Sequence, residues 1–152
     1  MKNYYLIPAL SSNPTILRRT LELITPEKIT IPTHADRFSP HDVICHLNDW
    51  EPIMREERMK LAFANPGAAF LAYDEGEMAI ERNYAARDLQ QQLAEFVSER
   101  AKTIEFVQSL SEEDWKKTAY HPERGEVTLS DLVNMVACHD IYHVDQLWAV
   151  IP

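Results

Sequence analysis

Glycine is scarce in this chain, 3 among 152 residues, and cysteine scarcer, with 2. So little glycine argues against a sheet protein, whose hairpins need many tight turns. Two cysteines are too few for a disulfide framework at this length. No apolar run approaches the roughly 20 residues that span a bilayer. The opening Met1-Lys2-Asn3-Tyr4-Tyr5 lacks the apolar core of a secretion signal, so a cytoplasmic location without membrane contact is expected. Basic charge is short as well. Against 24 Asp and Glu stand 15 Lys and Arg, a formal net charge of −9, which argues against nucleic acid as a partner.

What is present is a hydrophobic content of 45%, enough for one core, so residues 1–152 are expected to form a single domain. Nine prolines punctuate helical patterns. Asn13-Pro14 reads as a cap with proline at the first helical position, followed by a stripe of Ile16, Leu17, Thr20, Leu21, Leu23 and Ile24 that ends at Pro26. An extended connection over 25–38 leads to Ser39-Pro40, which opens a second helix with an apolar face of Val43, His46, Leu47, Trp50, Ile53, Met54 and Leu61. Pro52 interrupts that face, and a kink is expected there. Residues 66–87 are a long mixed connection with a short helical turn of its own.

Asp88 with Gln91 resembles a capping box, and Leu89, Leu93, Phe96, Val97, Ile104, Val107 and Leu110 trace a third helix. Arg100 falls within its stripe, so its stem is expected to pack while its head reaches solvent or an acidic partner. Ser111 caps a short turn around Trp115, and a loop holds His121, Pro122 and Gly125. Thr128 to Asp131 then cap the last helix, whose inner stripe is Leu132, Met135, Val136, His139, His143, Leu147 and Val150. The fold class is all-α, a four-helix bundle with long connections.

His139 and His143 stand one turn apart on the same face of the last helix. His46 lies on the apolar stripe of the second. Measured at about 1.5 Å per residue, the three rings share one depth only if these two helices run antiparallel. Three buried imidazoles without an ion would leave ring nitrogens needing partners, so a divalent metal held by His46, His139 and His143 is expected. Imidazole suits zinc, nickel, iron and copper alike, with selection set by availability; zinc or nickel is the first expectation and iron the next. Three nitrogen ligands leave a position open for water or substrate. Asp49, one turn from His46, is a candidate to support a ligand ring or contact the open position. His34, His41 and His121 are expected at the surface. Cys45 and Cys138 precede proposed ligands but sit too far apart for a disulfide across adjacent helices, and are expected to be small buried thiols.

The segment Phe38-Ser39-Pro40-His41-Asp42-Val43-Ile44-Cys45-His46-Leu47-Asn48-Asp49-Trp50-Glu51 resembles the first signature of the DinB-like superfamily, with Phe38 where the pattern has Trp. His139-Asp140-Ile141-Tyr142-His143-Val144-Asp145-Gln146-Leu147 resembles its closing signature. The resemblance implies up-down-down-up connectivity and a metal on His46, His139 and His143. It also implies kinship with bacillithiol-using thiol transferases and a mycothiol-dependent maleylpyruvate isomerase, in which the metal activates a low-molecular-weight thiol.

Three function classes follow. The first is a metal-dependent transferase that presents a small thiol to a small electrophilic substrate. The second treats His139-Asp140-x-x-His143 as a shortened zinc-hydrolase motif with Asp140 as general base. The third is a non-catalytic metal- or ligand-binding stress-response module. Exposed apolar residues on a bundle face would also support a homodimer.

Overall fold

Proline opens one of the long helices, at Pro40, and Pro14 and Pro52 alter how two of them continue. The computed structural model describes residues 3–34 and 38–151; residues 35–37, within the expected connection, and the outermost residues of the chain lie outside it. Helix α1 spans Leu6–Glu22, so it starts well before Asn13 and carries Pro14 inside it. Proline has no N–H to give the carbonyl four residues earlier. That carbonyl, of Leu10, instead accepts from Arg100 Nη1 at 3.3 Å. Asn13 is not a cap: its side chain donates to Ala137 O (3.3 Å) and Asp140 Oδ2 (2.8 Å).

Helix α2 (Pro40–Pro52) opens with the capping box of Ser39 and Asp42. The disturbance at Pro52 takes the form of a π segment, Ile53–Met59, which runs on into α3 (Lys60–Ala64). Having lost one i→i−4 bond, the chain steps to i→i−5 pairing, seen where Lys60 N–H donates to Arg55 O. The connection after it holds α4 (Glu75–Glu81) and a 3₁₀ turn, Tyr84–Ala86. Helix α5 (Leu89–Gln108) follows its Asp88 cap, and α6 (Leu129–Trp148) follows the capping box of Thr128 and Asp131. Among the described residues no helix is long and apolar enough to cross a membrane.

Between α5 and α6 the expected loop is a hairpin. Strands β1 (Thr118–His121) and β2 (Gly125–Thr128) pair antiparallel, Thr118 opposite Thr128 and His121 opposite Gly125. Gly125 holds φ +75° at the turn, a region that favours glycine. The segment 67–70 lies along the other edge of β1, where Tyr120 N–H donates to Ala68 O and Phe70 N–H to Tyr120 O. A strand of four residues with a remote partner leaves little alternation to read.

Side-chain bonds give the helix directions. Asn48 reaches Gln92 and Glu95, while Arg55 reaches Glu99 and Thr103, so α2 and α5 run parallel. Ser130 reaches Asn3 and Asn13 reaches Asp140, so α1 and α6 also run parallel. Gln146 reaches Phe38 just before α2, while His139 meets His46 within it, so α2 and α6 oppose each other. The bundle is up-down-down-up.

Its interior has two apolar clusters. One gathers Leu17, Ile44, Leu47, Phe96, Val144 and Leu147; the other gathers Leu10, Ile53, Met59, Val107, Leu132 and Val136. A polar layer separates them. Arg100, 1% exposed, places its guanidinium between Glu51 (2.6 Å) and Asp140 (2.6 Å), and Thr103 Oγ1 donates to the other Glu51 oxygen. Burial alone would pull the Arg100 pKa down, but the two carboxylates hold it above its usual range. Of the two fates expected for this side chain, the acidic partner is the one observed, and there are two of them. Replacing Arg100 by Met leaves two buried carboxylates without their cation, so the R100M variant is expected to lose about 3–5 kcal/mol of stability by urea denaturation. A change below about 1 kcal/mol would show that the layer does not hold the bundle together.

Candidate metal centre

Helix rotation sets the triad. His46 is fully buried on α2, His143 nearly so on α6, and His139 partly buried one turn before it. Their ligand atoms gather into one group: His139 Nε2 lies 3.1 Å from His46 Nε2 and 3.0 Å from His143 Nε2. Nitrogen ligands of a tetrahedral ion at 2.0–2.1 Å stand about 3.3 Å from one another, so the rings are close to a coordinating spacing.

The surroundings favour unprotonated Nε2 atoms. Gln146 donates its amide N–H groups to Thr33 Oγ1 (3.1 Å) and Phe38 O (3.3 Å), which turns its Oε1 toward His143. His143 Nδ1–H therefore donates to that oxygen at 3.0 Å, leaving the Nε2 lone pair for the centre. His46 Nδ1 is buried without a hydrogen-bond partner. Burial, with His143 and His139 alongside, holds the His46 pKa well below its usual range. Burial and the Arg100 and Arg58 charges push His139 down to about 4. Both rings are neutral at pH 7, the state a metal requires. Phe38 and Trp50 flank His46, with ring centroids at 5.2 and 5.7 Å.

The other expected residues are placed differently. Asp49 is engaged by Arg87 (2.9 Å) and Arg82 (3.3 Å), an ion cluster that ties α2 to the α4–α5 connection. His143, for its part, is braced by Gln146, which lies three residues on along the same helix, a spacing that could have flagged it. Asp140 points into the Arg100 fork and is 0% exposed, so it is no general base for this centre. His34 is exposed as expected. His41 is buried, with Nε2 donating to Arg87 O at 2.8 Å, because α2 begins inside the fold rather than at its rim. His121 is buried too, carried inward by β1. Cys45 is a buried thiol pushed up to about 12, chiefly by burial, whereas Cys138 is exposed. Neither joins the group of ligand atoms.

A cavity of about 500 Å³ opens on one side of the triad, with His139, Trp50, Arg58, Tyr73, Glu75 and His121 in its wall. This volume falls within the usual range for small-molecule sites. The Tyr73 hydroxyl donates to Glu57. Glu75 has its carboxyl pKa raised, first by burial and then by Asp74 and Glu123. Arg58, Tyr73 and Glu75 carried no sequence signal, because the π segment and the folded connection bring them to the wall.

Comparison with known proteins bears on this arrangement. No curated protein matches the chain. Among solved structures it is similar to YfiT from Bacillus subtilis, described as a probable metal-dependent hydrolase with an unusual four-helix bundle topology. The TM-score is 0.85 at 21% identity, covering 95% of this chain and 83% of that one. It is also similar to the mycothiol-dependent maleylpyruvate isomerase, with a TM-score of 0.74 at 14% identity. There the match covers 97% of this chain but 63% of the isomerase, so this chain spans less than two thirds of that enzyme. At these identities the likeness is one of fold. The DinB superfamily, in contrast, matches residues 9–147 in sequence, and so this chain belongs to that superfamily.

Proposed function

We propose that His46, His139 and His143 hold a divalent metal, zinc or nickel foremost, and that the protein is a metal-dependent enzyme of the DinB superfamily. In this reading a low-molecular-weight thiol attacks a small electrophile. The observation that carries it is the convergence of three imidazole ligand nitrogens, of His46, His139 and His143, beside a cavity large enough for a small molecule. An ion bound there would supply Lewis acidity, lowering the pKa of a thiol or of water. Gln146 fixes the His143 tautomer, Phe38 and Trp50 limit water around His46, and the partly exposed edge of His139 gives access from the cavity. Dependence on mycothiol in one structural neighbour supports a thiol as nucleophile.

Water is the rival nucleophile, since YfiT is described as a probable hydrolase. The shortened zinc-hydrolase scheme does not serve here, because the Asp140 carboxylate is taken up by Arg100 and Asn13. Glu75, on the cavity wall with its pKa raised above the usual carboxylate value, is the carboxyl better placed to exchange a proton with a bound molecule.

Protein purified without a histidine tag is expected to carry about one divalent ion per chain by elemental analysis, and H139A to carry almost none. Absence of metal from both would sink the reading. Metal-loaded protein is then expected to turn over electrophiles with small thiols; stoichiometric metal with no turnover would favour the non-catalytic module instead. Gln146→Ala should weaken metal affinity by about 10–100-fold in a chelator competition, with helix content unchanged.

The depressed histidine pKa values also set a pH dependence for the metal-free protein. Below the ordinary histidine pKa of 6.5 the unfolded chain takes up protons that folded His46 and His139 refuse, so stability is full above 6.5 and falls as pH drops toward about 4. Urea midpoints across that window check the slope. A midpoint that rises on acidification would contradict it, and added zinc should lift the curve near pH 6.5.

A further inference from the structure

Arg58 is a buried cation that forms no ion pair among the described residues. It lies in the π segment at 7% exposure, with its guanidinium over the Trp50 ring (4.9 Å) and near that of Phe70 (5.9 Å). The other two buried arginines both have carboxylates: Arg55 has Glu99, and Arg100 has Glu51 and Asp140. Among the described residues Arg58 has no ion pair, although it faces the cavity. Its Nε is buried with no hydrogen-bond partner, and Nη1 meets only Met54 Sδ at 3.6 Å and His121 Nε2 at 3.4 Å. Arginine does not shed its charge, so the fold leaves an expensive group without a paired anion beside the triad, the Glu123, Glu57 and Glu75 carboxylates acting on it only beyond ion-pair distance.

His121 sharpens the point. Its Nδ1 lies 3.2 Å from the backbone N of Glu123, and its Nε2 faces Arg58 Nη1. Backbone N–H and guanidinium can only donate, yet a neutral imidazole has one accepting nitrogen. The ring is neutral at pH 7, since burial and the Arg58 and Arg124 charges hold its pKa below the usual value. One of the two contacts is therefore not a hydrogen bond. The shorter one, from Glu123, fixes Nδ1 as acceptor and puts the proton on Nε2. Two donors, Arg58 Nη1–H and His121 Nε2–H, then face each other at the cavity wall with no acceptor between them.

We propose that Arg58 and His121 form a carboxylate-binding subsite of this cavity, so that the small molecule handled beside the triad is an organic acid. The proposal rests on the cavity being the substrate site of the function set out above. One carboxylate oxygen accepts from both donors and neutralises Arg58, while the rest of the acid lies against Trp50, Tyr73 and His139. Glu75 and Glu123, on the same wall, weigh against more highly charged ligands such as phosphate.

Benzoate and its uncharged isostere benzamide test this by calorimetric titration of protein stripped of metal, so that no ion can bind the acid. Wild type is expected to favour benzoate over benzamide by about 10-fold, the strength of a charge-assisted pair, and over inorganic phosphate. In R58Q that preference should fall to within about twofold, and H121F should lower it in part. The wild-type ratio alone is decisive if R58Q does not fold. Equal binding of benzoate and benzamide, or a preference untouched in folded R58Q, overturns the proposal; tighter binding of phosphate overturns the carboxylate assignment. Metal content is read separately: discrimination in protein that never takes up metal upholds the subsite and removes the metal reading, whereas a metal-loaded protein without discrimination removes the subsite alone.

Discussion

The guanidinium of Arg100 is the constraint on which the rest of the bundle depends. It is fully enclosed, and its fork can be satisfied only if α1, α2, α5 and α6 arrive at one level with Leu10 O, Glu51 and Asp140 facing inward. A buried ion group of this kind adds little net stability over an apolar substitute, but it tolerates few arrangements. Its effect is one of rotation. With about 100° between successive residues, fixing Asp140 toward α1 and α5 turns both His139 and His143 roughly 60–100° away, toward α2. On the opposing helix, fixing Glu51 toward α5 likewise sets His46, five residues earlier, about 140° around α2. The polar layer and the triad are two faces of one decision about helix rotation.

Pro14 and Pro52 both take part in this design. Pro14 frees the Leu10 carbonyl, and Arg100 uses it. Pro52 starts the π segment, and the altered turn carries Arg58 onto the Trp50 ring at the cavity wall. In each case a missing backbone donor is followed by a functional placement of an arginine, one structural and one beside the site. The hairpin completes the wall by bringing His121 from a distant part of the chain to Arg58.

The site also shows why neighbours in sequence part company in space. Asp140 lies between two proposed ligands yet serves the core. Cys45 and Cys138 each precede a proposed ligand, but one is buried and the other exposed, because the flanks of α2 and α6 meet different surroundings. Asp49 looked like a brace for the triad and instead anchors Arg82 and Arg87, whereas Gln146 braces His143 and also clasps Phe38 ahead of α2.

Local rules determined the caps at Ser39, Asp88 and Thr128, the faces of the four long helices, and the inward direction of His46, His139 and His143. Each of these depends on spacing within one helix turn or on a cap adjoining its own helix, and such information is written in consecutive residues. Tertiary structure decided the burial of Arg100 and Asp140, the inward turn of His121, the exposure of Cys138 and the passage of α1 through Pro14. Those outcomes rest on partners remote in sequence, 40 residues away for Arg100 with Asp140 and 49 for Arg100 with Glu51, and the cost of burying a charge or an unpaired carbonyl is cancelled only once the fold has brought them together.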